Sequence, residues 1–179
     1  MVVGVDGLTI RDARDDERGE IRAVTLAASA EYATVMPAPV WAQYSRQMLA
    51  TLDAAGPVER IVAERGGAIV GSVLLYSPAA DAYAGAVAGL EWPEVRLLAV
   101  APEARGHGVG TALMDECARR ARQAGFMALG LHTTDLMRAA VRLYGRLGFA
   151  CAPELDFSPV ADILVMGYRR DLGDAHPPG

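Results

Sequence analysis

A mixed α/β fold, with a mostly antiparallel sheet of six to seven strands and helices on both faces, is predicted by three features of this 179-residue chain. The first spans residues 94–125: an apolar run (EVRLLAV), a glycine-rich turn (APEARGHGVG) and an amphipathic run (TALMDECARRARQAG). With the β-prone run that follows, it makes a strand–helix–strand unit whose two strands should be parallel neighbours. The second is a pair of β-rich runs, 60–64 and 68–76, joined by Arg65-Gly66-Gly67, a hairpin signal. The third is helical spacing of apolar residues in four separate segments.

In chain order, Leu8-Thr9-Ile10-Arg11 reads as a short first strand. Residues 15–32 carry a helix pattern with Ile21, Val24 and Ala28 facing inward and Leu26 as a further candidate. Pro37 and Pro39 break the chain, and a second helix pattern places Trp41, Tyr44, Met48 and Leu52 at i, i+3, i+7 and i+11. An aromatic stripe at that spacing is core. Gly56-Pro57 ends the helix, and the hairpin follows. Residues 77–90 are small and alanine- and glycine-rich, which suits either a loop opening on a cleft or a surface excursion.

The central stretch has its own logic. Val95, Leu97, Leu98, Ala99 and Val100 form a β-prone segment that Pro102 stops. Gly106, Gly108 and Gly110 alternate through the turn. Val109, Ala112, Leu113, Cys117, Ala121 and Ala124 then recur at helical spacing, with Gly125 as the stop. Residues 126–132 form the next strand. In the helix 136–147, Leu136, Ala140, Leu143 and Leu147 face inward and Arg138, Arg142 and Arg146 face solvent. Gly148-Phe149 ends it, and 162–170 is the last strand. A single domain over 6–171 with a disordered tail, 172–179, is the expected organisation.

Composition narrows the function. Hydrophobic residues make up 52% and charged residues 22%, the balance of a folded, soluble chain. No apolar run approaches the roughly 18 residues of a membrane span. The start lacks a basic leader followed by a long apolar region, so a cytoplasmic location is expected, with no membrane partner. Cys117 and Cys151 are too few for a disulfide framework and are expected as buried free thiols. A net charge of −5, from 17 basic and 22 acidic residues, argues against nucleic acid and is compatible with a cationic amine substrate. No metal is expected.

A strand feeding a helix through alternating glycines leaves main-chain N–H groups free at the helix start, where the dipole favours an anion. Arg105 adds positive charge beside them. The nucleotide P-loop would need a lysine that Val109-Gly110-Thr111 lacks. The dinucleotide fingerprint needs a third glycine, but counted from Gly106 that position is Thr111, and counted from Gly108 it is Leu113. What remains is Arg-x-x-Gly-x-Gly, met by Arg105, Gly108 and Gly110 after LLAVAPEARG. This resembles the acyl-CoA pyrophosphate loop of the GNAT superfamily of N-acyltransferases. The segment 140–149, AVRLYGRLGF, resembles the superfamily's second signature, A-x-x-L-Y-x-x-x-G-F. The family often has asparagine seven positions before that tyrosine; here it is Met137.

The resemblance covers most of residues 8–170 and carries functional expectations. It implies a GNAT-like fold and acetyl-CoA as co-substrate. The main-chain amides of Arg105, Gly106, His107, Gly108, Val109, Gly110 and Thr111 would hold the diphosphate, and Leu98, Ala99 and Val100 the pantetheine arm. Tyr144 takes the role of proton donor to the CoA thiolate. The acceptor would be a primary amine on a small molecule or peptide, and a homodimer is compatible with the family. Position alone makes Glu94, at the entry to the strand before the loop, the candidate general base; Glu91 and His132 are rivals, and a solvated strand-end glutamate is the bland alternative. An acyl-CoA-binding sensor without turnover is the competing reading.

Overall fold

The computed structural model describes residues 2–3, 7–78, 90–160 and 163–173. Most of the 77–90 loop and of the expected tail lies outside them. The chain divides into two compact units: Met1–Leu74 with Leu97–Met114, and Leu75–Arg96 with Asp115–Gly179. The architecture is mixed α/β and mostly antiparallel, with seven strands of four or more residues among the described ones.

The first unit holds β1 (Val2–Val3), β2 (Leu8–Asp12), β3 (Val58–Arg65), most of β4 (Ala68–Tyr76) and the end of β5 (Glu94–Val100), in that order across its sheet. β2 and β3 run antiparallel, with Ile10 opposite Ala63. The β3–β4 turn has φ of 60° at Gly66 and 82° at Gly67, the double left-handed conformation of a tight hairpin turn. Ile61, Val62 and Ala63 are fully buried. The helix α1 (Arg18–Ser29) buries Ile21, Thr25, Ala28 and Ser29. Leu26, expected as an inward candidate, is exposed, because the buried stripe 21–25–28 leaves it on the opposite side. In α2 (Ala38–Asp53), Met48 and Leu52 are buried, whereas Trp41 and Tyr44 are half-buried with ring centroids 6.0 Å apart. Pro39 does not break this helix; it sits in the first turn, where no intrahelical N–H is needed.

An ionic knot fixes the entry to α1. Arg11 donates to both oxygens of Glu17, at 2.8 and 2.6 Å, and to Glu64 at 2.9 and 2.5 Å, while Glu17 also accepts the Arg14 N–H at 2.7 Å. The Arg11 guanidinium, against the opposing cost of burial, brings the Glu17 carboxyl down to about 2. A carboxyl depressed on folding adds stability above its unfolded value of about 4.3, and that stability is lost as pH falls toward the folded value. The melting temperature should therefore drop between pH 4.5 and 2, and Glu17→Gln should flatten that drop while lowering stability at pH 7. An unchanged pH profile in the mutant would remove the knot from the stability account.

The second unit holds the start of β5, then β6 (Ala128–Thr133), β9 (Ile163–Asp171) and β7 (Ala150–Cys151) in sheet order, with β8 (Phe157–Val160) also on β9. β5 and β6 are parallel, Glu94 opposite Gly130 and Val95 opposite Leu131, as the strand–helix–strand pattern requires. β9 is antiparallel to β6 over six residue pairs. Cys117 is buried as expected, but Cys151, on the two-residue β7, is exposed.

The helix α3 (Val109–Gln123) belongs to both units, dividing after Met114. It ends in a Schellman cap: Phe126 N–H donates to Ala121 and Gly125 N–H to Arg122, both at 2.9 Å, with Gly125 at φ 86°. On α3, the buried Glu116 takes hydrogen bonds from Arg119 and Arg120, which hold its carboxyl at about 2. The helix α4 (Arg138–Arg146) keeps Arg138, Arg142 and Arg146 exposed, as its pattern predicts. Among the described residues no helix is long and apolar enough to cross a membrane.

Candidate active site

In the first unit, β5 delivers the chain to the glycine turn. Leu97, inside the strand, has φ of +52°, an uncommon left-handed conformation for a residue with a side chain. The chain is extended again through Leu98, Ala99 and Val100, and Ala101 N–H then donates to the Val70 carbonyl of β4 at 2.9 Å. Gly71 beside it cannot carry a side chain: a Cβ there would stand 2.9 Å from Val109 Cγ1 and 3.0 Å from the Ala99 carbonyl. That close approach seats the first turn of α3 against β4.

Arg105, Gly106, His107 and Gly108 are exposed, whereas Ala104 and Val109 on either side are buried and pin the turn. Gly106 and Gly108 have φ of 78° and 76°, and a Cβ built on either meets nothing within 4 Å. Residues with side chains rarely adopt this conformation, and the space before the two glycines is open. The first bond entering α3 runs from Ala112 N–H to the Gly108 carbonyl at 2.9 Å, so the N–H groups of Val109, Gly110 and Thr111 precede any intrahelical acceptor. Donors, dipole and missing side chains together form a cradle that fits a phosphate group.

Arg105 is anchored. Its Nη2 donates to the Ala28 carbonyl near the end of α1 at 2.8 Å, and Nη1 pairs with Glu31 at 3.1 Å. The sequence gives no sign of this fastening, since the partners lie more than 70 residues away. His107 Nδ1 donates to the Arg105 carbonyl at 2.8 Å and closes the turn on itself.

In the second unit, Tyr144 is the one buried residue of α4, whereas Ala140, Leu143 and Leu147, expected to face inward, are half-buried. The helix end explains why. Phe149 N–H donates to the Tyr144 carbonyl at 3.0 Å and Gly148 N–H to Gly145 at 3.1 Å, with Gly148 at φ 82°. This is again a Schellman cap, and its hydrophobic contact is the Tyr144–Phe149 ring pair, centroids 5.9 Å apart. The motif L-Y-x-x-x-G-F is thus a helix stop that fixes a tyrosine ring.

Glu94 is not a solvated strand-end residue: its side chain is 2% exposed, and Oε1 lies 2.6 Å from Nδ1 of His132, itself 1% exposed. His132 Nε2 lies 3.1 Å from the Leu155 carbonyl. A carbonyl only accepts, so Nε2 carries a hydrogen; the short contact on the other side requires a proton between Nδ1 and Oε1 as well. Two of the sequence's rival bases are therefore partners in one buried pair. Glu91 is exposed. Among the described residues no group of three or more His, Cys, Asp or Glu is placed to hold a metal ion.

The sequence profile of the acetyltransferase (GNAT) family matches residues 15–149, which include the glycine turn, Glu94, His132 and Tyr144. An uncharacterised N-acetyltransferase of Schizosaccharomyces pombe is 32% identical over 73 residues, 41% of this chain and 45% of that relative. Among solved structures, PaiA N-acetyltransferase from Thermoplasma acidophilum in complex with coenzyme A superposes with a TM-score of 0.68 at 13% identity, covering 92% of this chain and 98% of that one. The histone acetyltransferase HPA2 and related acetyltransferase from Corynebacterium glutamicum gives 0.65 at 25% identity, covering 92% and 96%. With its profile match running across most of the chain, the protein belongs to the GNAT family of acetyltransferases.

Proposed function

We propose that the protein transfers an acetyl group from acetyl-CoA to a primary amine of a small molecule or peptide. The observation that carries this reading is the open cradle at the start of α3, where glycines at φ 78° and 76° clear the space before it and three helix-start N–H groups have no intrahelical acceptor. The amides from Gly106 to Thr111 hold the diphosphate, whereas the Arg105 N–H, expected to join them, donates instead to the Pro102 carbonyl at 3.3 Å; the main chain of Leu98, Ala99 and Val100 receives the pantetheine arm. Acetyl-CoA supplies an activated thioester. The amine nitrogen bonds to its carbonyl carbon as the carbon–sulfur bond breaks, giving an amide and free CoA.

Two protons must move. A lysine-like amine with pKa near 10.4 is neutral in only about one part in 2,500 at pH 7, a penalty of roughly 4.6 kcal/mol. An α-amine near 7.7–8.0 loses only about 1–1.4 kcal/mol. Glu94 takes the amine's proton, directly or through water, which matters most for the basic amine. Tyr144 gives its phenolic proton to the departing sulfur. A single domain over 6–171, a cytoplasmic location and a reaction without metal belong to the same proposal.

The test is thiol release from acetyl-CoA with five amines: spermidine, kanamycin, glycine, aniline and a tripeptide with a free N-terminus. Release above the amine-free blank with at least one supports the transferase. Tight CoA binding without release from any of them would replace it with an acyl-CoA sensor.

A further inference from the structure

We propose that His132 is a positioning residue for Glu94, and that two glycines on neighbouring strands exist to give the pair room; this rests on the reading of Glu94 as proton acceptor. Sheet register carries the case. Glu94 on β5 stands opposite Gly130 on β6, and His132, two residues along β6 on the same face, stands opposite Gly167 on β9. A Cβ on Gly130 would lie 2.3 Å from Glu94 Oε2 and 2.4 Å from Trp92 Nε1. A Cβ on Gly167 would lie 2.5 Å from Leu155 Cβ and 3.4 Å from His132 Nε2. Any side chain at 130 would push the carboxylate away from its histidine. Any at 167 would push away the turn whose Leu155 carbonyl orients the ring.

The ring is fixed from both nitrogens and covered by Phe157, ring centroids 5.5 Å apart, so it has no freedom to rotate. With Nε2 engaged by the Leu155 carbonyl and Nδ1 sharing a proton with Oε1, neither ring nitrogen is left to accept the amine's proton. We place the shared proton on Nδ1, so that the ring presents one N–H to Oε1, while Oε2 and Trp92 Nε1 both crowd the place a Cβ of Gly130 would take. His132 thereby sets where the carboxylate of Glu94 sits.

The test has two arms. In protein labelled with 15N-histidine, both ring nitrogens of His132 should appear protonated, and Gly130→Ala should abolish the hydrogen-bonded Nδ1–H signal. A single protonated nitrogen in the wild-type protein would overturn the proposal. In the second arm, the five amines above serve as acceptors. His132→Ala should lower kcat about tenfold to a hundredfold, the effect of losing a hydrogen bond to a charged group, with KM for acetyl-CoA held within about twofold. His132→Asn, whose Nδ2 stands near the place of Nδ1 and still donates, should recover most of that loss; a merely structural role would not be rescued this way. Wild-type kcat in His132→Ala, or an Asn variant no better than Ala, overturns the positioning role. Glu94→Gln separates the two layers. A fully active Glu94→Gln sinks the base reading itself, whereas a slow Glu94→Gln beside a normal His132→Ala sinks only the part played by His132.

Discussion

Gly108→Glu is expected to weaken coenzyme A binding at least about a hundredfold, some 2.8 kcal/mol. Gly108 has φ of 76° and open space where a side chain would begin, so the new side chain would fill the cradle without a clash inside the protein. Its carboxylate would then stand where a diphosphate should sit, and like charges at short range repel. The left-handed conformation also costs a non-glycine residue roughly 1–2 kcal/mol, which lowers stability independently of the ligand. Gly108→Ala separates the effects, carrying the same backbone strain without the charge. Equilibrium binding of coenzyme A to both variants, beside their melting temperatures, is the measurement. A folded Gly108→Glu protein with near-normal affinity would withdraw the loop assignment.

Tyr144→Phe should lower kcat by about 10²–10⁴ with little change in coenzyme A affinity. The ring stays, and so does its contact with Phe149 at the helix cap, so the fold has no reason to move. The phenolic hydroxyl, and with it the proton donor, is lost. With ordinary values near 8.5 for a thiol and 10 for tyrosine, that transfer is uphill by roughly 2 kcal/mol, which is why the donor accelerates the reaction without being indispensable. An unchanged kcat, measured where bond-making limits the rate, would take Tyr144 out of the mechanism.

How much of this the sequence reveals depends on whether the controlling interaction is local. The hairpin at Gly66-Gly67 and the stops at Gly125 and Gly148 are written within a few residues, the parallel pairing of β5 with β6 follows from the handedness of one strand–helix–strand unit, and the structure has each of them. The cradle is legible for the same reason, since alternating glycines before a helix have few other uses. Interactions between distant residues are not legible. Glu94 and His132 are 38 residues apart, and only strand register brings them together; Gly130 and Gly167, read alone, are weak spots in strands. The same holds for the Arg105 anchor to Ala28 and Glu31. Short elements escape too: β7 is two residues long and β8 contains Pro159, so neither offers a period to detect. The left-handed Leu97 is invisible because leucine has no preference for that conformation.

The central claim is that main-chain amides at the start of α3 hold the diphosphate of coenzyme A. It is tested most directly by titrating 15N-labelled protein with coenzyme A and following the backbone amide signals. The account predicts that Gly106, Gly108, Val109, Gly110 and Thr111 show the largest saturable shifts. Saturable binding that leaves those five signals in place would contradict it.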